Sequence, residues 1–257
     1  MRNILLIFIL SILFSCGIKR LAVNHADDLL TYQVTRRIPL YSEQKKNLER
    51  DIENSLNSSK ALVSDILPTI DKLELEGSHE VTKAYPKLEE FYLKLAGDFS
   101  GLLAKYMADL DSKQQKDLFE KLDDENREIL KKEKEDRIDD WEDRFRSFFG
   151  NISGPQKQLL RKNADYFQER ARARLDRRLK LYEKLKVAFQ QDLSPQSRKE
   201  FITEAFRTYQ LDSTRGHKNI EIIKDFLPTL SKNQKEHFRR HIEDVKELLK
   251  YFLTVDY

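Results

Sequence analysis

Phe149-Gly150-Asn151-Ile152-Ser153-Gly154-Pro155-Gln156 is the clearest break between two long charged segments of helical periodicity. Gly150, Gly154 and Pro155 punctuate the backbone. Ser153, followed three residues later by Gln156, supplies the side-chain oxygen and amide of a helix start. The stretch reads as the apex of a helical hairpin spanning about 112–190.

Outward from that apex, the preceding arm carries Leu118, Leu122, Ile129 and Leu130, then Ile138, Trp141, Phe145 and Phe148, at the spacing of one helix face. Between these groups Lys131–Arg137 contains no apolar residue, so it is expected to be a bend or a solvated projection. The following arm carries Leu160, Ala164, Phe167, Ala171, Leu175, Leu179, Tyr182, Leu185 and Phe189, which predicts one long helix. The first arm is acidic (Glu133, Glu135, Asp136, Asp139, Asp140, Glu142, Asp143) and the second basic (Arg161, Lys162, Arg170, Arg172, Arg174, Arg177, Arg178). Antiparallel folding would set residues near 139 against residues near 165. The charges then pair between arms, each exposed pair contributing about 0–1 kcal/mol and serving mainly to fix register. The functional alternative is that Arg170, Arg172, Arg174, Arg177 and Arg178 form a cationic face for an acidic partner or lipid headgroups.

The same periodicity fills the rest of the chain. Leu48, Ile52, Leu56, Val63, Ile66, Ile70 and Leu73 form one stripe, in which Pro68 is expected to kink or interrupt the helix. Gly77-Ser78 is the expected break before the stripe Leu88, Phe91, Leu95, Phe99, Leu102, Tyr106 and Leu110. A short helical segment runs from Leu21 to Val34, and shorter helices start at Ser194-Pro195, Gly216 and Ser231. Seven Gly and six Pro in 257 residues are too few for a β-rich or loop-rich chain. With 39% hydrophobic and 35% charged residues, each helix can bury one stripe. The expected fold is all-α, an elongated multi-helix bundle built as a single domain over 21–257 around the central hairpin. A formal net charge of +3 gives no global drive toward nucleic acid.

The amino terminus carries the most specific signal. Met1-Arg2-Asn3 is positively charged and Ile4–Phe14 is apolar apart from Ser11, a run of signal-peptide length that is short for a membrane span. It ends at Leu13-Phe14-Ser15-Cys16, and Cys16 is the only cysteine. Leu13, Ser15 and Cys16 resemble the lipobox of bacterial lipoproteins, with Phe14 bulkier than usual. The resemblance implies a signal peptide over 1–15, cleavage before Cys16, and acylation of its sulfur and new amino terminus, with 16–20 as the lipidated end. Several acyl chains, at about 0.8 kcal/mol per buried CH₂, would hold the protein stably on a membrane. Gly17 is not the Asp that favours inner-membrane retention in enteric-type bacteria. The implied location is the cell envelope, on the periplasmic face of the outer membrane.

One pattern recurs at helix starts: an apolar residue, a capping residue, then Gln four places after the apolar one. Ile152–Gln156 and Leu230-Ser231-Lys232-Asn233-Gln234 fit fully, and Leu110-Asp111-Ser112-Lys113-Gln114 fits with Asp as the cap. Leu40–Gln44 and Leu193-Ser194-Pro195-Gln196 fit loosely. Such boxes satisfy orphan N–H groups of the first turn, at about 1 kcal/mol per cap. The pattern resembles the Leu-Thr-x-x-Gln motif of the Spy and CpxP family of all-α periplasmic proteins. It is also similar to an uncharacterised family of proteobacterial lipoproteins. That likeness rests on Cys16, Leu40–Gln44, Leu67-Pro68, Arg144 with Phe148, Gly150, Ile152, Ser153 and Gln156, and Leu230–Gln234. The Trp-His-Arg that members often carry before Leu-Pro is replaced here by residues that include Ser58-Ser59-Lys60.

Catalytic motifs are missing from the sequence: there is no phosphate-cradling Gly-rich loop, nucleophile elbow or dinucleotide fingerprint. His237 and His241 have a spacing that can place two imidazoles on a metal. The intervening Phe238-Arg239-Arg240 lacks the Glu of a zinc peptidase, so neither metal nor cofactor is expected. The expectation is therefore a non-catalytic, lipid-anchored helical protein. Its partners would be the membrane, through the anchor, and periplasmic or envelope proteins, with no nucleic acid expected for a secreted lipoprotein. The function would be chaperone-like or envelope-stress binding, or else scaffolding for one dedicated partner.

Overall fold

The computed structural model describes residues 16–76, 80–132, 138–211 and 216–257. The signal-peptide assignment (1–15), the Gly77-Ser78 break and the acidic residues Glu133, Glu135 and Asp136 lie outside the described residues, as do the side chains of Asp139 and Asp140. The described residues form eleven α-helices and one 3₁₀ turn, with no strand among them. These are α1 (Cys16–Asn24), α2 (Ala26–Thr35), α3 (Ser42–Glu76), α4 (Val81–Ala108), α5 (Ser112–Lys132), α6 (Ile138–Phe149), α7 (Gly154–Arg161), α8 (Ala164–Gln190), α9 (Pro195–Leu211), α10 (Gly216–Phe226) and α11 (Lys232–Thr254). The 3₁₀ turn, Leu227–Thr229, holds Pro228 at the end of α10, where a residue without an N–H cannot continue the ladder.

The long helices α3 and α4 lie side by side, with α9 on α4, α11 and α2 on α3, and α8 on α9. Their apolar stripes meet in three clusters. One, around Phe226, Leu160, Phe149, Ile222 and Phe238, sits under the hairpin apex. A second, around Met107, Leu118, Leu185, Ile202 and Phe206, sits at the other end of the hairpin. The third joins α2, α3 and α4 through Leu30, Leu48, Ile52 and Tyr106.

Three expectations need correction. Pro68 does not interrupt its helix: α3 runs unbroken for 35 residues. A helix-interior proline costs about 3 kcal/mol, and Ile66, Ile70 and Leu73, all buried on either side of it, hold the helix together by packing. The arm after the apex is two helices rather than one. Asn163 ends α7: its Nδ2 donates to Leu159 O at 3.0 Å and its N–H to Leu160 O at 3.0 Å, a tightened turn. Asparagine competes with the helical ladder in this way. The predicted Leu21–Val34 segment likewise lies on two helices, which meet at His25.

The hairpin itself has the expected antiparallel register. Trp141 stacks on Phe167 with ring centroids 4.2 Å apart, Glu125 meets Arg178 at 2.8 Å, and Phe119 packs edge-on against Phe189 at 5.7 Å. Each step down one arm is matched by a step up the other.

Candidate functional sites

The apex is built from its backbone outward. Gly150 has φ +75°, the left-handed conformation in which a glycine ends a helix without strain, and its N–H closes on Arg146 O at 2.8 Å. Ser153 then caps α7: its Oγ accepts from Gln156 N–H at 3.4 Å, and Gln156 Oε1 accepts from Ser153 N–H at 2.8 Å. Ser231 and Gln234 repeat this box at α11, with distances of 3.3 and 2.9 Å. Asp111 and Gln114 do so at α5, with 2.8 and 3.1 Å. At the other two sites the pattern is partial. Gln44 Oε1 accepts from Tyr41 N–H at 2.9 Å, but tyrosine has no oxygen placed to cap. Ser194 caps Ser197, one residue beyond Gln196, whose amide turns to Glu200.

These starts pair in space. Gln156 Nε2 donates to Gln234 Oε1 at 3.0 Å and Gln234 Nε2 donates back to Gln156 Oε1 at 2.9 Å. The remaining amide hydrogens reach Thr229 O at 3.0 Å and Asn151 O at 2.8 Å. Each amide oxygen therefore accepts twice and each amide nitrogen donates twice, so two buried glutamines are fully satisfied. The other pair follows the same plan: Gln114 Nε2 donates to Gln44 Oε1 at 2.7 Å and to Pro39 O at 2.6 Å. Pro39 and Asn151 occupy equivalent places, two residues before Tyr41 and Ser153. The two pairs have sequence separations of 70 and 78 residues, and this near-repeat was the available signal.

The arginine row of α8 is used largely inside the fold. Arg178 Nε donates to Asn126 Oδ1 at 2.6 Å and its Nη2 to Glu125 Oε2 at 2.8 Å, while Arg37 Nε reaches Glu125 Oε1 at 2.9 Å. Burial alone would raise the Glu125 carboxyl, but hydrogen bonding and charge from Arg178 and Arg37 outweigh it and hold the group below its ordinary value. Arg170 donates to Asn219 and stands 5.6 Å from the Trp141 ring centre. Arg174 and Arg177 are partly buried, and Arg172 is exposed. Nearer the apex, buried Glu142 receives Arg161 at 3.2 Å and Lys157 at 3.7 Å. The charge-complementary arms thus pair through Glu125 and Glu142.

Two adjoining apolar clefts share Arg37, Ile38 and Tyr209 in their walls. The larger, about 100 Å³, lies between α2, α4 and α9 and is lined by Val34, Tyr92, Phe99, Leu103 and Phe206 among others. The smaller, about 60 Å³, is bounded by Met107, Leu118, Leu122, Leu181 and Leu185 together with the Glu125–Arg178 pair. Arg37 Nη1 is buried there with no hydrogen-bond partner among the described residues.

The helix α1 is clamped by the carboxy-terminal tyrosines. Cys16, the expected acylation site, lies on α1. Tyr257 Oη donates to Val23 O at 2.7 Å, Tyr251 Oη donates to Asn24 Oδ1 at 2.6 Å, and the Arg20 guanidinium lies 5.3 Å from the Tyr251 ring centre. His237 and His241 serve packing: His237 Nε2 is 3.4 Å from Ser147 O, and His241 meets Phe148 edge-on at 4.9 Å. No cluster of three or more metal-ligating side chains occurs among the described residues, and no described helix is long and apolar enough to cross a membrane.

No protein-family model, curated protein or solved structure matches this chain.

Proposed function

We propose that this chain is a non-catalytic, lipid-anchored protein of the bacterial envelope that binds other proteins in the periplasm, in a chaperone-like or envelope-stress role. The observation that carries the binding reading is the pair of apolar clefts meeting at Arg37, Ile38 and Tyr209. An open wall of Tyr92, Phe99, Leu103 and Phe206 can accept an apolar side chain from a partner, with the Arg37 guanidinium beside it to orient a carbonyl or carboxylate. The lipobox-like Leu13-Phe14-Ser15-Cys16 supports the anchor.

The test is photocrosslinking in cells from a reactive phenylalanine analogue at Tyr92, compared with the same group at exposed Glu120. Many unfolded or newly exported proteins captured at Tyr92 is the expected result. One stoichiometric partner would favour the second reading, a scaffold, which the register-locked hairpin supports. Capture at Tyr92 no greater than at Glu120 would overturn the cleft as a binding surface.

A further inference from the structure

The helices α1 and α2 present apolar surface on two sides. One face turns inward, with Val23, Ala26 and Leu30 buried; Ala26 and Leu30 pack with Leu48, Ile52 and Leu56 of α3. The opposite face carries Leu21, Leu29 and Tyr32, exposed by 58%, 37% and 59%. Leu29, Tyr32 and Arg36 are spaced three and four, one side of α2 continued to its C-cap, and Leu21 is exposed on α1 four residues before the joint at His25. The two helices join at His25, whose backbone (φ −116°, ψ 30°) leaves the helical region: its N–H donates to Leu21 O at 3.2 Å and its carbonyl accepts from Leu29 N–H at 3.0 Å. Single exposed apolar side chains are ordinary. Three within twelve residues, directly after the acylation site, are not scattered.

Leu21 lies five residues beyond Cys16, about 7.5 Å along the helix axis. The helix carrying it is tied to the body through Val23 and Asn24, so an anchor at Cys16 holds a fixed surface against whatever it enters. The groups bordering the stripe are those a headgroup layer solvates: Arg20, the His25–Asp28 pair at 3.2 Å, Asp27 and Arg36. Tyrosine, with an apolar ring and a polar tip, suits that layer. We propose, building on the lipid-anchored reading, that the Leu21–Leu29–Tyr32 face is seated in the interfacial zone of the phospholipid bilayer that holds the Cys16 lipid. The anchored protein then stands in one orientation, with α1 and α2 lying along the membrane surface.

The experiment uses lipidated full-length protein in phosphatidylethanolamine–phosphatidylglycerol vesicles. Acylation occupies the sulfur of Cys16, so Leu21→Cys, Tyr32→Cys and, as control, Glu120→Cys each introduce one free thiol for an environment-sensitive fluorophore. Flotation with the vesicles reports the anchor separately from the seating. The expected result is a floating protein whose labels at 21 and 32 are quenched several-fold more by lipid-borne nitroxide than the label at 120. Equal quenching at all three sites in a floating protein overturns the seating and leaves the anchor standing. Labels at 21 and 32 shielded from both lipid-borne and aqueous quenchers also overturn it, because a partner or a second copy would then cover the face. Failure to float removes the anchor and the seating together.

Discussion

The two pairs of helix starts use one plan with different chemistry. At the apex, Gln156 and Gln234 exchange two hydrogen bonds beneath serine caps, and both amides are buried. At the other end of the hairpin, Gln114 gives Gln44 a single bond, and Gln44 is only partly buried. Its Tyr41 cannot cap and instead donates its hydroxyl to Asp111 Oδ2 at 2.8 Å. Beside this second pair stands an ionic network, Glu125 with Arg37 and Arg178. The same spacing of apolar residue, cap and glutamine brings helix starts together in both places. Whether the junction is neutral and closed or partly charged and open depends on the cap and on burial.

The largest effect is expected from Gln156→Met. It takes one of two partners from each end of the buried Gln234 amide and leaves the Ser153 N–H without its acceptor, and it should cost about 2–3 kcal/mol in denaturant unfolding. Gln114→Met should cost about 1–2 kcal/mol, because water can reach Gln44 and replace part of what is lost. Adding Gln234→Met to Gln156→Met should cost less than the two singles summed, by about 1–2 kcal/mol. Equal costs at the two ends, or strict additivity at the apex, would erase the distinction. Gly150→Ala should cost about 1 kcal/mol, set by its left-handed backbone; a neutral result would show that the apex can relax.

Acid separates the two junctions with the smallest effect. The Asp111 carboxyl is held below its ordinary value, first by the Gln114 backbone N–H and then by the Tyr41 hydroxyl. Glu125 is likewise held low. For carboxyls depressed on folding, the stabilisation is fully present above the unfolded pKa values, 3.8 and 4.5, and is lost as pH falls through the lower folded ones. Hydrogen exchange below about pH 4 should therefore loosen the start of α5 and its contact with α8 before the serine-capped apex. Glu125→Gln should flatten that acid dependence. Simultaneous loss at both ends would contradict the contrast.

Much of this architecture was legible in the sequence because it rests on local rules. The stripes placed the helices and Gly150 and Ser153 placed the turn, while of the charges expected to pair between the arms Glu142 meets Arg161, and Arg178 is held by Glu125, which was not among them. Pro68 and Asn163 misled for opposite reasons. At Pro68 tertiary packing overrides a local breaker, whereas at Asn163 one polar side chain breaks an otherwise continuous stripe. The glutamine pairs were half legible: each cap can be read from five residues, but which caps meet depends on contacts spanning 70 or more residues. The Arg170–Arg178 row illustrates the same limit. Its periodicity shows a basic strip, but only the packed arms show Arg178 held by Glu125 and Arg170 set beside Trp141.

The anchor is the premise on which both the envelope location and the membrane-seated face depend, and acyl labelling at Cys16 tests it most directly. Cells fed an alkyne-tagged fatty acid should label the wild-type chain, and Cys16→Ala should abolish the label and shift the protein out of the membrane fraction. A wild-type chain that takes up no label, or a Cys16→Ala chain that stays labelled, would contradict the account.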